Sequence, residues 1–128
     1  MLIPNDKIPV RLPVKWYFDN NIPNIIIIEY KKKFSKIESL LSKLLKSPTS
    51  LKRTLDVMNS RLWLLMDGNN SFGDIIDMME SEFKEEIIPS KQRITTSIMN
   101  FIELRLVTLL TNSEEIYWSI ESYENRNS

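Results

Sequence analysis

A mixed α+β domain is the fold class this sequence predicts, and three patterns predict it. Two β-branched or aromatic runs, Val14 to Phe18 and Asn24 to Tyr30, flank the turn residues Asp19-Asn20-Asn21 and read as a hairpin. Apolar residues then recur at helical spacing in three successive blocks between Met58 and Leu104. Two further apolar runs, Leu106 to Leu110 and Ile116 to Ile120, bracket Thr111-Asn112-Ser113 and read as a second, terminal hairpin.

Residues 1–13 hold Pro4, Pro9 and Pro13, which suits an extended arm leading into the first strand. Pro23 shortens the start of the second strand. Phe34 to Lys46 is amphipathic: Phe34, Ile37, Leu40, Leu41, Leu44 and Leu45 line one face and lysines, serines and Glu38 cover the other. Such a stripe also suits a membrane surface, but it more often packs on a sheet. Leu51 to Val57 alternates as a third strand, with Arg53 interrupting the apolar side.

The first core helix is expected to begin at Asn59, whose side chain can accept a free N–H of the first turn, with Met58 and Trp63 closing a hydrophobic staple. Met58, Leu62, Leu65 and Met66 continue it, and Gly68 supplies a left-handed stop. Ser71 and Asp74 form a short capping box for a second helix carrying Ile75, Ile76, Met79 and Phe83 inward. Ser90 is a fair N-cap for a third helix, Lys91 to about Leu104, with Ile94, Ile98, Phe101 and Ile102 inward.

These elements predict one domain over 1–128. It comprises the arm (1–13), strands with the amphipathic helix (14–57), a three-helix core (58–104), a wing hairpin (105–121) and a frayed tail (122–128). Three compact helices joined to small antiparallel strands form a winged-helix-like arrangement.

Composition narrows the chemistry. The chain of 128 residues has neither histidine nor cysteine. It therefore lacks the commonest general base, the commonest zinc ligand and any thiol nucleophile. Serines are plentiful but have no histidine to activate them, and the only glycines, Gly68 and Gly73, make no phosphate loop. Asp74, Asp77 and Glu80 lie at helical spacing, a pattern better read as a solvated face than as a metal site. No enzyme, cofactor or metal is expected. Trp16, Trp63 and Trp118 are too widely spaced to suggest a base-stacking platform and read as core or interface anchors. Net charge is zero, yet residues 1–66 carry 12 Lys+Arg against 5 Asp+Glu, and residues 67–128 carry 5 against 12. A basic and an acidic region follow if the halves map onto surfaces. No signal peptide is visible, and Ile25 to Ile28 is too short to span a bilayer, so a soluble cytoplasmic protein is expected.

Met58-Asn59, Trp63, Asp67-Gly68, Ile75-Ile76 and Phe83, followed by Ile94, Ile98 and Phe101, occur in an order that resembles the PqqD-like family, the recognition elements for ribosomally made and post-translationally modified peptides. The resemblance covers roughly residues 51 to 110 and departs at Arg105-Leu106, where the family usually has a glycine. It implies a winged-helix-like fold. It also implies a non-catalytic function: binding a precursor or leader peptide by strand addition and presenting it to a modifying enzyme, often a radical S-adenosylmethionine protein. By the same resemblance the receiving edge is Leu51, Lys52, Arg53, Thr54, Leu55 and Asp56, and the helix wall beside it includes Thr95, Met99 and Glu103. Lys52 and Arg53 suit acidic peptide residues.

The competing reading is a winged-helix DNA-binding regulator, with Lys91, Gln92, Arg93, Thr95, Thr96 and Asn100 offered to a groove. Nucleic acid is the weaker partner, because Glu103, Glu114 and Glu115 would face phosphates. Membrane binding is not expected. A homodimer through an edge strand or the 34–46 helix is compatible with the sequence.

Overall fold

The computed structural model describes residues 2–31 and 50–126. Among the described residues the fold is α+β, with five strands in two antiparallel sheets around three principal helices. The strands are β1 (Ile8–Arg11), β2 (Lys15–Phe18), β3 (Ile26–Lys31), β4 (Ser50–Thr54) and β5 (Val107–Leu110). The helices are α1 (Val57–Leu65), α2 (Phe72–Phe83), α3 (Ser90–Glu103) and a short terminal α4 (Tyr123–Arg126). The amphipathic helix expected over 34–46 lies outside the described residues. Among those described, no helix is long and apolar enough to cross a membrane.

The first sheet has the order β2-β3-β4. Asp19 turns the β2–β3 hairpin by accepting the N–H groups of Asn21 (2.7 Å) and Ile22 (3.1 Å) on its carboxylate. Pairing of Trp16 with Ile28 and of Phe18 with Ile26 gives the sheet an inner face, where Trp16, Ile26 and Ile28 are buried. Lys15 and Glu29 meet on the outer face at 3.1 Å.

Ser60 fastens this sheet to α1. Its buried hydroxyl accepts the Ile26 N–H (2.9 Å) and donates to the Leu55 carbonyl (3.4 Å), standing between two backbone groups that would otherwise bond directly. Leu55 N–H completes that pair on Ile26 O at 2.9 Å.

The expected start of α1 needs correction. Asp56, not Asn59, is the N-cap, and its carboxylate accepts Asn59 N–H at 2.7 Å. Both residues are good caps; the strand ends at Thr54, and that places the helix start three residues earlier. The staple of Met58 with Trp63 then falls away, because Leu55 and Ser60 occupy the flanking positions. Gly68 does adopt positive φ (89°), two residues past the Met66 cap, and a Cβ there would collide with Ile116.

The Ser71–Asp74 capping box of α2 is present in both directions, and Ile75, Ile76 and Met79 are buried beneath it. Helix α3 begins with Ser90 already inside; its cap is Pro89, without a side-chain bond, and Ser90 Oγ donates instead to Glu80. Ile94, Ile98 and Phe101 point inward as expected, and Ile102 is half-buried against the core.

At the end of α3, Arg105 takes the left-handed conformation (φ 61°). Its N–H bonds Ile102 O (2.9 Å) and Leu106 N–H bonds Phe101 O (2.9 Å), the paired bonds of a Schellman stop. The chain thus leaves the helix as a glycine would allow it to, using an arginine.

The wing hairpin is not formed. Strand β5 pairs with β1, Ile8 opposite Leu110 through Arg11 opposite Val107. The arm is therefore a strand. Pro9 is accommodated because Leu12 N–H bonds Leu106 O, a phase that turns the missing Pro9 donor away from β5. Ile116 to Ile120 lies across the core instead of joining a ladder. Trp118 Nε1 donates to Arg11 O (2.7 Å), and Ile120 O accepts from Trp16 Nε1 (3.1 Å). The tail is not frayed over its first residues either, since Ser122 is buried and α4 packs on β2.

Candidate functional site: the open edge of β4

The phase of hydrogen bonding in the first sheet decides which groups β4 offers outward. Asp19 N–H bonds Ile25 O, so β3 uses its odd-numbered residues toward β2. Leu55 N–H bonds Ile26 O, so the even-numbered residues of β3 face β4. Leu51 and Arg53 therefore spend their backbone groups on Tyr30 and Ile28, their register partners. Lys52 and Thr54 turn N–H and C=O to the outer side, where no strand pairs with β4 among the described residues.

The side chains of this edge are equally open. Leu51, Lys52, Arg53 and Thr54 are all exposed, Leu51 at 39%. Arg53 stands opposite the buried Ile28, on the face of the sheet that elsewhere forms the core. Among the described residues, the helical layer thus stops short of β4 and does not cover its inner face. An ordinary buried strand would not look like this. Leu55 and Asp56 have other duties: Leu55 is in the core and Asp56 caps α1.

Just past β4, Asp56, Met58, Asn59 and Leu62 on the α1 side face Arg93, Ile94 and Ser97 of α3 across a narrow cleft of about 50 Å³. Arg93 bridges its mouth, donating to Glu86 O and reaching Met58 Sδ at 3.7 Å. The expected wall residues Thr95, Met99 and Glu103 do not line this cleft. Thr95 lines a separate recess of about 930 Å³ with Leu2, Glu80, Lys84 and Ile88. Met99 packs partly on the core, and Glu103 is exposed. The flank of α3 that meets Asp56 and Met58 across the cleft is that of Arg93 and Ser97, which sequence spacing alone does not separate from that of Thr95. Helical phase relative to α1 would have distinguished them, but only once the true start of α1 was known.

Other candidates are committed to the fold. The Asp74 carboxylate closes the capping box and Glu80 accepts from Ser90. Among the described residues, no group of Asp and Glu is disposed to hold a metal ion. Of the side chains suited to DNA, Arg93 is tied down as above and Thr96 Oγ1 donates to Gln92 O at 3.0 Å.

Arg11 had no sequence signal, yet it organises the side of the molecule away from β4. It is 5% exposed, stacks over Trp16 (4.9 Å) and donates to Trp63 O (2.7 Å), Leu64 O (3.1 Å) and Ile120 O (3.1 Å). It thereby satisfies carbonyls at the end of α1 and holds the C-terminal segment to β1. Burial pushes its guanidinium down to about 10, partly offset by Asp67 and Glu121, so it remains charged at neutral pH. Lys15, by contrast, is held above the ordinary lysine value by its hydrogen bond to Glu29.

Comparison with family models, curated proteins and solved structures gave no significant match.

Proposed function

We propose that this protein is a non-catalytic peptide-binding module that takes up an extended segment of another polypeptide along β4. The observation that carries the reading is the outer edge at Lys52 and Thr54, which no strand pairs among the described residues, on a strand whose inner-face residues Leu51 and Arg53 are exposed. Such an edge offers backbone donors and acceptors for affinity and alternating side-chain positions for selectivity. The cleft at Met58 and Arg93 continues the same side of the molecule and is sized for one small side chain. The resemblance of residues 51 to 110 to the PqqD-like pattern supports a precursor peptide as the occupant and a peptide-modifying enzyme as the recipient.

The reading is tested by backbone NMR with candidate precursor peptides. Strand addition shifts the Lys52 and Thr54 amides strongly and those of Met58, Arg93 and Ser97 more weakly. Shifts confined to the recess around Thr95 and Ile88 would refute it.

A further inference from the structure

We infer that the β4 edge selects an acidic strand from another protein and rejects a second copy of this chain; this refinement rests on the strand-addition reading. Lys52 projects from the outer face opposite Glu29, but the Glu29 carboxylate already holds Lys15 Nζ at 3.1 Å. Arg53 projects from the inner face in the row of Trp16 and Ile28, which contains no acid. The ion pairs among the described residues are Lys15–Glu29 and Arg61–Glu82, so neither Lys52 nor Arg53 has a carboxylate partner among them.

Two adjacent cations on an open edge act in two ways. In a fully overlapped symmetric pairing of two β4 strands, Lys52 stands opposite its own copy, and directly opposed like charges oppose pairing. An edge lysine is a common device against such self-association. An incoming strand with acids opposite Lys52 and Arg53 supplies the missing counter-charges on both faces at once. Leu51, half uncovered on the inner face, asks for an apolar residue next to them. Read antiparallel to β4, the preferred sequence is a polar residue opposite Thr54, two consecutive acids, then an apolar residue.

Three fluorescein-labelled peptides provide the probe, with Thr-Glu-Glu-Leu, Thr-Gln-Gln-Leu or Thr-Lys-Lys-Leu at the centre of an otherwise identical extended sequence. Their binding to the full chain and to a Lys52→Glu/Arg53→Glu variant is followed by fluorescence polarisation at low and high salt. The intact chain binds the glutamate peptide about tenfold tighter than the glutamine one, and salt narrows the gap. The variant, whose changes are at exposed positions and whose folding is checked by circular dichroism, prefers the lysine peptide. Equal affinity for the glutamate and glutamine peptides, or an unchanged preference in the variant, overturns charge selection while leaving strand addition standing. Absence of binding by all three overturns both. Sedimentation of the intact chain gives a monomer; a dimer that protects the Lys52 amide overturns the rejection of self-pairing.

Discussion

Single side chains hold the layers of this molecule together, and Ser60 shows how. Its hydroxyl serves one backbone donor and one backbone acceptor inside the core, so Ser60→Ala orphans both. The expected loss is about 2 kcal/mol, read as a lower urea midpoint at unchanged slope; a loss within the error of the midpoint would mean the sheet closes directly on itself. Arg11 is a larger commitment. Arg11→Met keeps the stem but abandons carbonyls at the end of α1 and at Ile120. A destabilisation of about 3 kcal/mol is expected, with earlier exposure of Trp118 to quenchers, since the guanidinium holds that indole's segment through Ile120 O. Neither role can be read from the sequence. Ser60 resembles any helix-interior serine until the strand beneath it is located, and an arginine among prolines near the chain start carries no mark of burial.

Elements were legible where their signals are local. The Ser71–Asp74 box, the β2–β3 hairpin and the inward stripe of α3 depend on residues a few positions apart, and they form as read. The start of α1 was misread because two good caps lie three residues apart and the end of β4 chooses between them. The wing was misread for a different reason. Ile116 to Ile120 has a real alternation, but it is spent on contacts with Gly68, Arg11 and Trp16, while β5 takes a partner about a hundred residues away in sequence. No pattern within a window reports that pairing.

At α3, Arg105→Gly should stabilise the protein by about 1 kcal/mol, because glycine enters the left-handed stop without the Cβ penalty; thermal melting would show it, and a lower midpoint would contradict the assignment. At β4, Thr54→Pro removes a donor that faces outward, so pairing with β3 and the melting temperature change little while peptide binding is lost. Retained binding would mean the strand is not the docking element.

At the scale of the molecule, the described residues form two small sheets clamped around one helical core, with the C-terminal segment laid over Arg11 and Trp16 on the side away from β4. Among the described residues, its open side is the margin of the first sheet, where backbone hydrogen-bonding capacity and positive charge without a carboxylate partner coincide. With no histidine or cysteine in the chain, little apart from the terminal amine titrates near neutrality. The folded-state value of Arg11, lowered to about 10, means the unfolded chain holds that proton more tightly. Its linkage therefore raises stability with pH only above roughly 10 and is silent below 9. Chemical denaturation should accordingly give a nearly constant stability from pH 6 to 9. A steep slope in that window would require a titrating group the fold does not explain.

The most direct measurement of the open margin needs no ligand. Amide hydrogen exchange of the free protein, resolved by residue, should find Arg53 and Leu55 protected by β3, with the alternating Lys52 and Thr54 exchanging at close to open-chain rates. Equal protection of all four amides would show that the outer side of β4 is already paired, and the proposed docking edge would not exist.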